Sequence, residues 1–369
     1  MIRVTYIVSD IDKALAFEWI SSHLNREDFD LRFILLNNTG SELEQYLIES
    51  GVPCKRIASS RGLKAMITFF QVWWELICHR PKVIHTHLRR ACIIGLPAAL
   101  MAAIPQRIHT RHHSTSNHIY HPHAVKTDKL ITLLSTKVVA ISTVVESVLV
   151  EKENTPLRKI QRIPHGFDLK YFERPPQARI NKLREKYSCQ NSTLIVGIVA
   201  RYLELKGVEY GIRAFRELLA DYPKAHLVLA NAKGPYRRQI QEELSSLPHS
   251  AFTEIVFESD LTALFGLFDV YLHLPIQNDI EAFGQTYIEA LAGGVPSVFT
   301  ISGIGAELIR TEENAIVVPY KNSRRVYEAI KRILEDDEFR NKLVKNGRET
   351  VMPFGLKPFI SRLEDLYRA

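Results

Sequence analysis

Glu281 and Glu289 are separated by seven intervening residues in Glu281-Ala-Phe283-Gly284-Gln285-Thr-Tyr-Ile-Glu289, ahead of Ala-Leu-Ala-Gly-Gly-Val-Pro296. A helical pattern opening near Phe283 leaves Glu281 in the loop before it and Glu289 about two turns along. The start of a helix offers unpaired N–H groups and partial positive charge, which suits a phosphate. Glu281 could accept hydrogen bonds from sugar hydroxyls and Glu289 from a ribose, since carboxylates accept strongly and bidentately. Alone, the pair favours the plainer reading, in which Glu281 caps the helix and Glu289 is a solvated side chain. A second group sharpens it: Arg201-Tyr-Leu-Glu-Leu-Lys206-Gly207 follows the buried-strand run Ile195–Ala200. An open α/β sheet puts its ligand past such a strand end, and two cations there match a diphosphate.

Other chemistry is thinly represented. The chain has no phosphate-cradling Gly-rich signature, no nucleophile elbow, and no G-x-G-x-x-G after its first strand. His85-Thr-His87 and His121-Pro-His123 have a spacing a metal could use, but no Cys or carboxylate lies nearby to complete a set. No metal is expected.

These residues need a scaffold, and the hydrophobic pattern supplies one. Strands are predicted at Arg3–Val8, Leu31–Leu36, Lys82–His85, Arg107–Thr110 and Lys137–Ile141. A second series follows at Leu194–Val199, His226–Ala230, Glu254–Phe257, Val270–Leu274, Pro296–Phe299 and Ala315–Val318. Helical stretches fall between them, including Leu63–His79 and Ala91–Ala103. Alternation of this kind means βαβ units, here an α/β chain with two doubly wound parallel sheets. Phe167–Asn191 is polar, carries Pro175-Pro176 and lacks a strand pattern. The expected division is residues 1–170, 171–352 and a terminal helix over 353–369 that returns to the first domain.

The 369 residues suit two domains, and 46% hydrophobic with 24% charged residues describes a globular chain. The apolar run Ala91–Ile104 is 14 residues long and holds Pro97, too short to cross a bilayer. With no signal-peptide layout and four scattered cysteines, a cytoplasmic protein is expected. The formal charge of +7 sits wholly in residues 1–170, which hold 22 Lys/Arg against 15 Asp/Glu. Leu76–Thr127 has seven Lys/Arg, no acid and nine of the fourteen histidines. Such a segment favours an anionic ligand or an acidic membrane surface. It carries no nucleic-acid-binding motif.

Taken together, the pieces resemble glycosyltransferase family 4, the retaining group 1 enzymes of GT-B fold. The resemblance runs through Arg201…Lys206-Gly207, the Glu281-x7-Glu289 segment, Gly303-Ile-Gly-Ala-Glu307 and Ile163-Pro-His-Gly-Phe-Asp168, where His165 replaces the family's Asn. Val83-Ile-His-Thr-His87 and His109-Thr-Arg-His112 resemble the first domain's strand ends. It implies two Rossmann-like domains facing across a cleft and a nucleoside-diphosphate sugar, UDP- or GDP-hexose, as donor. Arg201 and Lys206 would bind the diphosphate, Glu281 the sugar and Glu289 the ribose, with Phe283, Gly284 and Gln285 lining the donor site. His112 would face the transferred sugar. Asp10, Asp12 and His113 would lie toward the acceptor, although the loop Val8-Ser-Asp-Ile-Asp-Lys13 lacks the family's glycines. Ser9 or Asp10 capping the next helix explains that loop equally well.

The expected reaction is metal-independent hexose transfer to a hydroxyl acceptor with retained configuration, in cell-surface polysaccharide or glycolipid assembly. An anionic or lipid-linked acceptor and loose attachment to an acidic membrane surface follow from the basic segment. Trp73 and Trp74 of the Leu63–His79 helix are read first as core. The rival readings are a nucleotide-sugar epimerase on the same fold and a silent nucleotide-sugar-binding subunit.

Overall fold

The computed structural model describes residues 1–59, 62 and 65–369, so Leu63 and Lys64 of the predicted Leu63–His79 helix lie outside the described residues. The chain forms two compact units: residues 1–167 with 354–369, and residues 168–353.

The first unit is built on a seven-stranded sheet: β1 (Ile2–Ser9), β2 (Phe29–Leu36), β3 (Cys54–Ile57), β4 (Val83–His87), β5 (Gln106–Arg111), β6 (Lys137–Ala140) and β7 (Ile160–Arg162). Its order is β3-β2-β1-β4-β5-β6-β7, all parallel. The strand order reverses between β1 and β4, which opens a crevice at their carboxyl ends. Apolar side chains of β1 and β2 pack on one face against the terminal helix Leu356–Arg368 through Phe359, Ile360, Leu363 and Tyr367. The other face is covered by the helices Ala65–His79 and Arg89–Met101. The latter buries seven residues and retains Pro97 in its interior. No described helix is long and apolar enough to cross a membrane.

The second unit has six parallel strands: β8 (Leu194–Val199), β9 (Ala225–Ala230), β10 (Phe252–Ile255), β11 (Val270–His273), β12 (Ser297–Phe299) and β13 (Ile316–Val317). Their order is β10-β9-β8-β11-β12-β13, with the reversal between β8 and β11. Two doubly wound parallel sheets are therefore present, as the pattern requires.

The strands that periodicity misses are β3 and β7. Both lie at sheet edges, and β7 (Ile-Gln-Arg) buries none of its residues, so neither carries an apolar run. The polar stretch 167–191 holds the helix Gln177–Lys186, which starts after Pro176 and buries only Ile180 and Leu183. Trp74 corrects the core reading of its helix: it is exposed together with Met66, Ile67 and Phe70 on one outward stripe.

Candidate active site

In the second unit, β8 ends at Val199 and the chain turns through Arg201 and a single 3-10 turn, Glu204–Lys206. Gly207 then opens the helix Val208–Asp221 with φ +59°, and a Cβ there would come within 2.1 Å of the Leu274 carbonyl oxygen. Only glycine lets the β8 turn approach the β11 end this closely. The approach delivers Lys206 Nζ to 2.5 Å from Glu281 Oε1. Burial acts to raise the Glu281 carboxyl, but the Lys206 charge, with His273 and Arg201, holds it below the ordinary carboxylate value. Arg201 is exposed and makes no side-chain hydrogen bond among the described residues.

Glu281 is fixed from behind. Its N–H donates to Ser302 Oγ at 3.1 Å, Ser302 N–H donates to Tyr287 Oη at 3.2 Å, and Tyr287 Oη donates to the Thr300 carbonyl at 2.6 Å. His273, the last residue of β11, places Nε2 at 3.6 Å from Glu281 Oε1, too far for a hydrogen bond. Burial pulls this imidazole down to about 4, so it stands neutral, its Nε2 without a partner.

The helix bearing Glu289 spans Gln285–Ala292 and is capped by Gly284 at φ +81°. Glu289 is therefore one turn in, not two, because the left-handed glycine delays the helix start past Phe283. Its carboxyl is buried, has no hydrogen-bond partner among the described residues, and is pushed up by burial to about 7. Phe283 is buried, its carbonyl accepting from Ile304 N–H at 2.8 Å. Lys206, Glu281, Gly284, Gln285 and Glu289 thus gather at the β8/β11 switch point, with Arg201 beside them.

The corresponding edge of the first unit is built from neutral rings. His87 Nδ1 and His112 Nε2 lie 3.2 Å apart, and the His112 ring stacks on His165 at 5.5 Å and 10°. Burial pulls His112 to about 3 and His165 to about 4. Beneath them His85 bridges Tyr367 Oη (2.8 Å) and Thr110 Oγ1 (2.8 Å), while Tyr367 Oη meets Tyr6 Oη at 2.5 Å. The terminal helix is thereby bonded to the middle of the sheet.

His113 turns away from this stack and pairs with Asp128 Oδ2 at 2.9 Å. Burial alone would raise Asp128, yet hydrogen bonds from His113 and Asn117 and the Arg111 charge hold it at about 2. Arg111 also pairs with buried Glu153. Asp128 and Glu153 carry no motif; Asp128 shares the buried face of the helix Pro122–Leu134 with Ala124 and Ile131, and Glu153 follows the turn Val148–Lys152.

The glycine-free loop after β1 makes its turn with Asp10, which adopts φ +51°, a conformation Asp tolerates better than most residues. Asp10 Oδ1 lies 3.4 Å from Arg90 Nη1, itself anchored on Ser59 Oγ at 2.6 Å. Asp12 instead accepts from Glu42 N–H at 3.2 Å, at the start of the helix Glu42–Glu49. Neither Ser9 nor Asp10 caps the following helix, since Leu15–His23 starts without a side-chain cap and Ser9 accepts from Ala91 N–H at 3.3 Å. Across the switch point, Leu88 sits at φ +70° after β4, a strained conformation for a branched side chain.

A pair of switch points, one edged by cations and carboxylates and the other by histidines, defines a two-domain α/β protein of GT-B fold. The family model for glycosyl transferases group 1 matches residues 179–350, and that for glycosyltransferase family 4 matches residues 20–171. The chain belongs to this family and is a glycosyltransferase. It is 23% identical over 354 residues to the capsular polysaccharide biosynthesis glycosyltransferase CapM of Staphylococcus aureus, covering 93% of this chain and 91% of that one. A GDP-mannose-dependent phosphatidylinositol monomannoside mannosyltransferase of Mycolicibacterium smegmatis is 29% identical over 189 residues, 49% of this chain and 48% of that one. Among solved structures, Anabaena HepE in complex with UDP and glucose superposes with a TM-score of 0.86 at 16% identity, over the whole of both chains.

Proposed function

We propose that this glycosyltransferase transfers a hexose from UDP- or GDP-hexose to a hydroxyl acceptor with retained anomeric configuration and without a metal ion, in polysaccharide or glycolipid assembly. The observation that carries this reading is the Lys206–Glu281 pair at the β8/β11 switch point, beside a buried, unpartnered Glu289. Arg201 and Lys206 would neutralise the diphosphate as it leaves, the role a divalent cation plays elsewhere. Glu281, fixed through Ser302 and Tyr287, would accept from a sugar hydroxyl. Glu289 would accept from the ribose; those hydroxyl donors favour its ionised form, so donor binding should release a proton near neutral pH. N–H groups at the start of the Gln285–Ala292 helix would meet phosphate oxygens.

In the first unit, the reading assigns His112 to the transferred sugar. A neutral imidazole can accept a hydrogen bond without placing positive charge beside an electron-poor anomeric carbon. Asp10 and His113 are assigned to the acceptor side, and Asp128 positions His113. Asp12 is assigned there too, alongside its contact with the 42–49 helix. Among the described residues, no side chain offers a nucleophile with its own base, which suits a front-face path in which the departing phosphate takes the acceptor proton. The CapM and mannosyltransferase relatives support a glycan or lipid-linked acceptor. The outward stripe Met66, Ile67, Phe70 and Trp74, with the basic 76–127 segment, supports attachment to an anionic membrane surface.

Incubating the protein with labelled UDP- and GDP-hexoses, with and without lipid-linked oligosaccharide acceptors, tests the reading. It predicts acceptor-dependent product whose anomeric configuration, read by NMR, matches the donor. Conversion of the sugar nucleotide without acceptor would make the protein an epimerase, and donor binding without turnover would make it a silent subunit.

A further inference from the structure

The second unit has a cavity of about 720 Å³ at the amino ends of β8, β11 and β12, the opposite end of the sheet from Lys206 and Glu281. Four arginines line it: Arg174, Arg184 from the Gln177–Lys186 helix, and Arg340 and Arg348 from the Asp337–Thr350 helix. Arg340, Val344 and Arg348 are spaced by four and so share one helix face. The lining contains a single carboxylate, Asp269, whose Oδ2 is already engaged by Ile195 N–H at 2.7 Å. Arg184, Arg340 and Arg174 all lie close enough to act on its charge, so the guanidinium groups converge.

Their own pairing is incomplete. Arg340 meets Asp337 at 2.8 Å, and Arg184 reaches the Ser192 carbonyl only at 3.4 Å. Arg174 and Arg348 make no ion pair or side-chain hydrogen bond among the described residues. The Arg348 guanidinium lies against Gly294, where a Cβ would come within 2.3 Å of Nη2. Several other arginines of this unit are matched, as in Arg179–Asp260 (2.5 Å) and Arg213–Glu243 (2.5 Å). Four like charges around one carboxylate in a concave site repel one another, and an anion relieves that repulsion.

We propose that this pocket is a second ligand site, taking a small soluble phosphorylated anion. The guanidinium fork matches phosphate oxygens bidentately. The volume falls within the range of small-molecule sites, and Ile180 and Phe265 give it an apolar wall for the body of the ligand. None of these residues takes part in the donor reading, so the two proposals stand or fall separately.

The test is calorimetric titration with inorganic pyrophosphate at constant ionic strength. The starting protein carries Arg201→Ala/Lys206→Ala, so that the donor edge does not contribute; the comparison adds Arg184→Ser/Arg348→Ser. One saturable site that weakens at least tenfold with the added substitutions supports the proposal. No saturable heat, or equal affinity in both proteins, overturns it. If the donor-edge variant does not fold, the same comparison in the otherwise wild-type chain decides: one binding event should disappear with Arg184→Ser/Arg348→Ser, whether or not a second event at the donor edge is seen, and no change overturns the proposal. Vesicles of phosphatidylglycerol provide the last arm. Sedimentation with them that depends on Arg184 and Arg348 would identify a lipid headgroup as the ligand and overturn the soluble-anion assignment.

Discussion

The two carboxyl edges solve different electrostatic problems with the same strand order. In the second unit, charge is concentrated: Lys206 is bound to Glu281 at 2.5 Å, and Glu289 waits nearby without a partner. In the first unit, the edge is made of imidazoles kept neutral by burial, His87 against His112 and His112 stacked on His165. The +7 formal charge of the chain resides in that first half, yet the rings at its strand ends contribute none of it. One edge concentrates charge in a bonded pair, and the other presents uncharged rings.

Substitutions can break that comparison. Replacing Lys206 with Ala should lower transfer about 10²-fold or more in a protein that still folds by circular dichroism, the scale for one preorganised charge contact. Unchanged turnover would remove Lys206 from the chemistry. Glu289 gives a signed pH effect. Its folded value near 7 lies above the unfolded one, so its contribution to stability is complete below about pH 4.5 and is lost as pH rises through 7. Glu289→Gln should therefore stabilise the ligand-free protein at pH 8, by about 3 kcal/mol at most, and leave it unchanged near pH 4. Denaturant titration at the two pH values measures this, and a pH-independent difference would refute the assignment.

Asp128 has the opposite sign. Held at about 2, it contributes stability above its unfolded value and loses it as pH falls through 2. Asp128→Asn should cost about 2 kcal/mol at pH 7, and the gap from wild type should shrink between pH 4 and 2. The smallest effect concerns Asp12. Asp12→Ala removes the acceptor for Glu42 N–H and should cost about 1 kcal/mol in thermal unfolding. If transfer falls more than that loss explains, Asp12 also touches the acceptor.

The same contrast governs how much of the molecule its sequence discloses. Both parallel sheets and eleven of the thirteen strands are legible: nine are central strands, which such sheets build from largely apolar runs, and the edge strands β10 and β13 still carry enough apolar residues to show. The edge strands Cys54–Ile57 and Ile160–Arg162 are not, since solvent takes the place of one neighbour. Arg201, Lys206, Glu281 and Glu289 can be singled out because each stands in a short local segment. Neither the Lys206–Glu281 bond nor the isolation of Glu289 can be read there: the first depends on the close approach of Gly207 to Leu274, the second on how the Gln285–Ala292 helix is buried. His273, Ser302 and Tyr287 carry no motif and become visible only as supports of Glu281. In the first unit, His85, Thr110, Tyr6 and Tyr367 form one hydrogen-bonded chain across 361 residues of sequence separation, beyond any local pattern. Trp74 is exposed where its spacing suggests core, because an aromatic stripe at helical spacing looks the same whether it faces a core or solvent.

The most direct test of the account is ligand-induced stabilisation in EDTA, using UDP, GDP, ADP and their sugar conjugates, on the wild type and on Arg201→Ala/Lys206→Ala. The account predicts that one nucleotide at 100 times its dissociation constant stabilises the wild type by about 2.7 kcal/mol and leaves the variant unmoved. Stabilisation of both proteins alike, or of neither by any nucleotide, would contradict a donor site built on Arg201, Lys206 and Glu281.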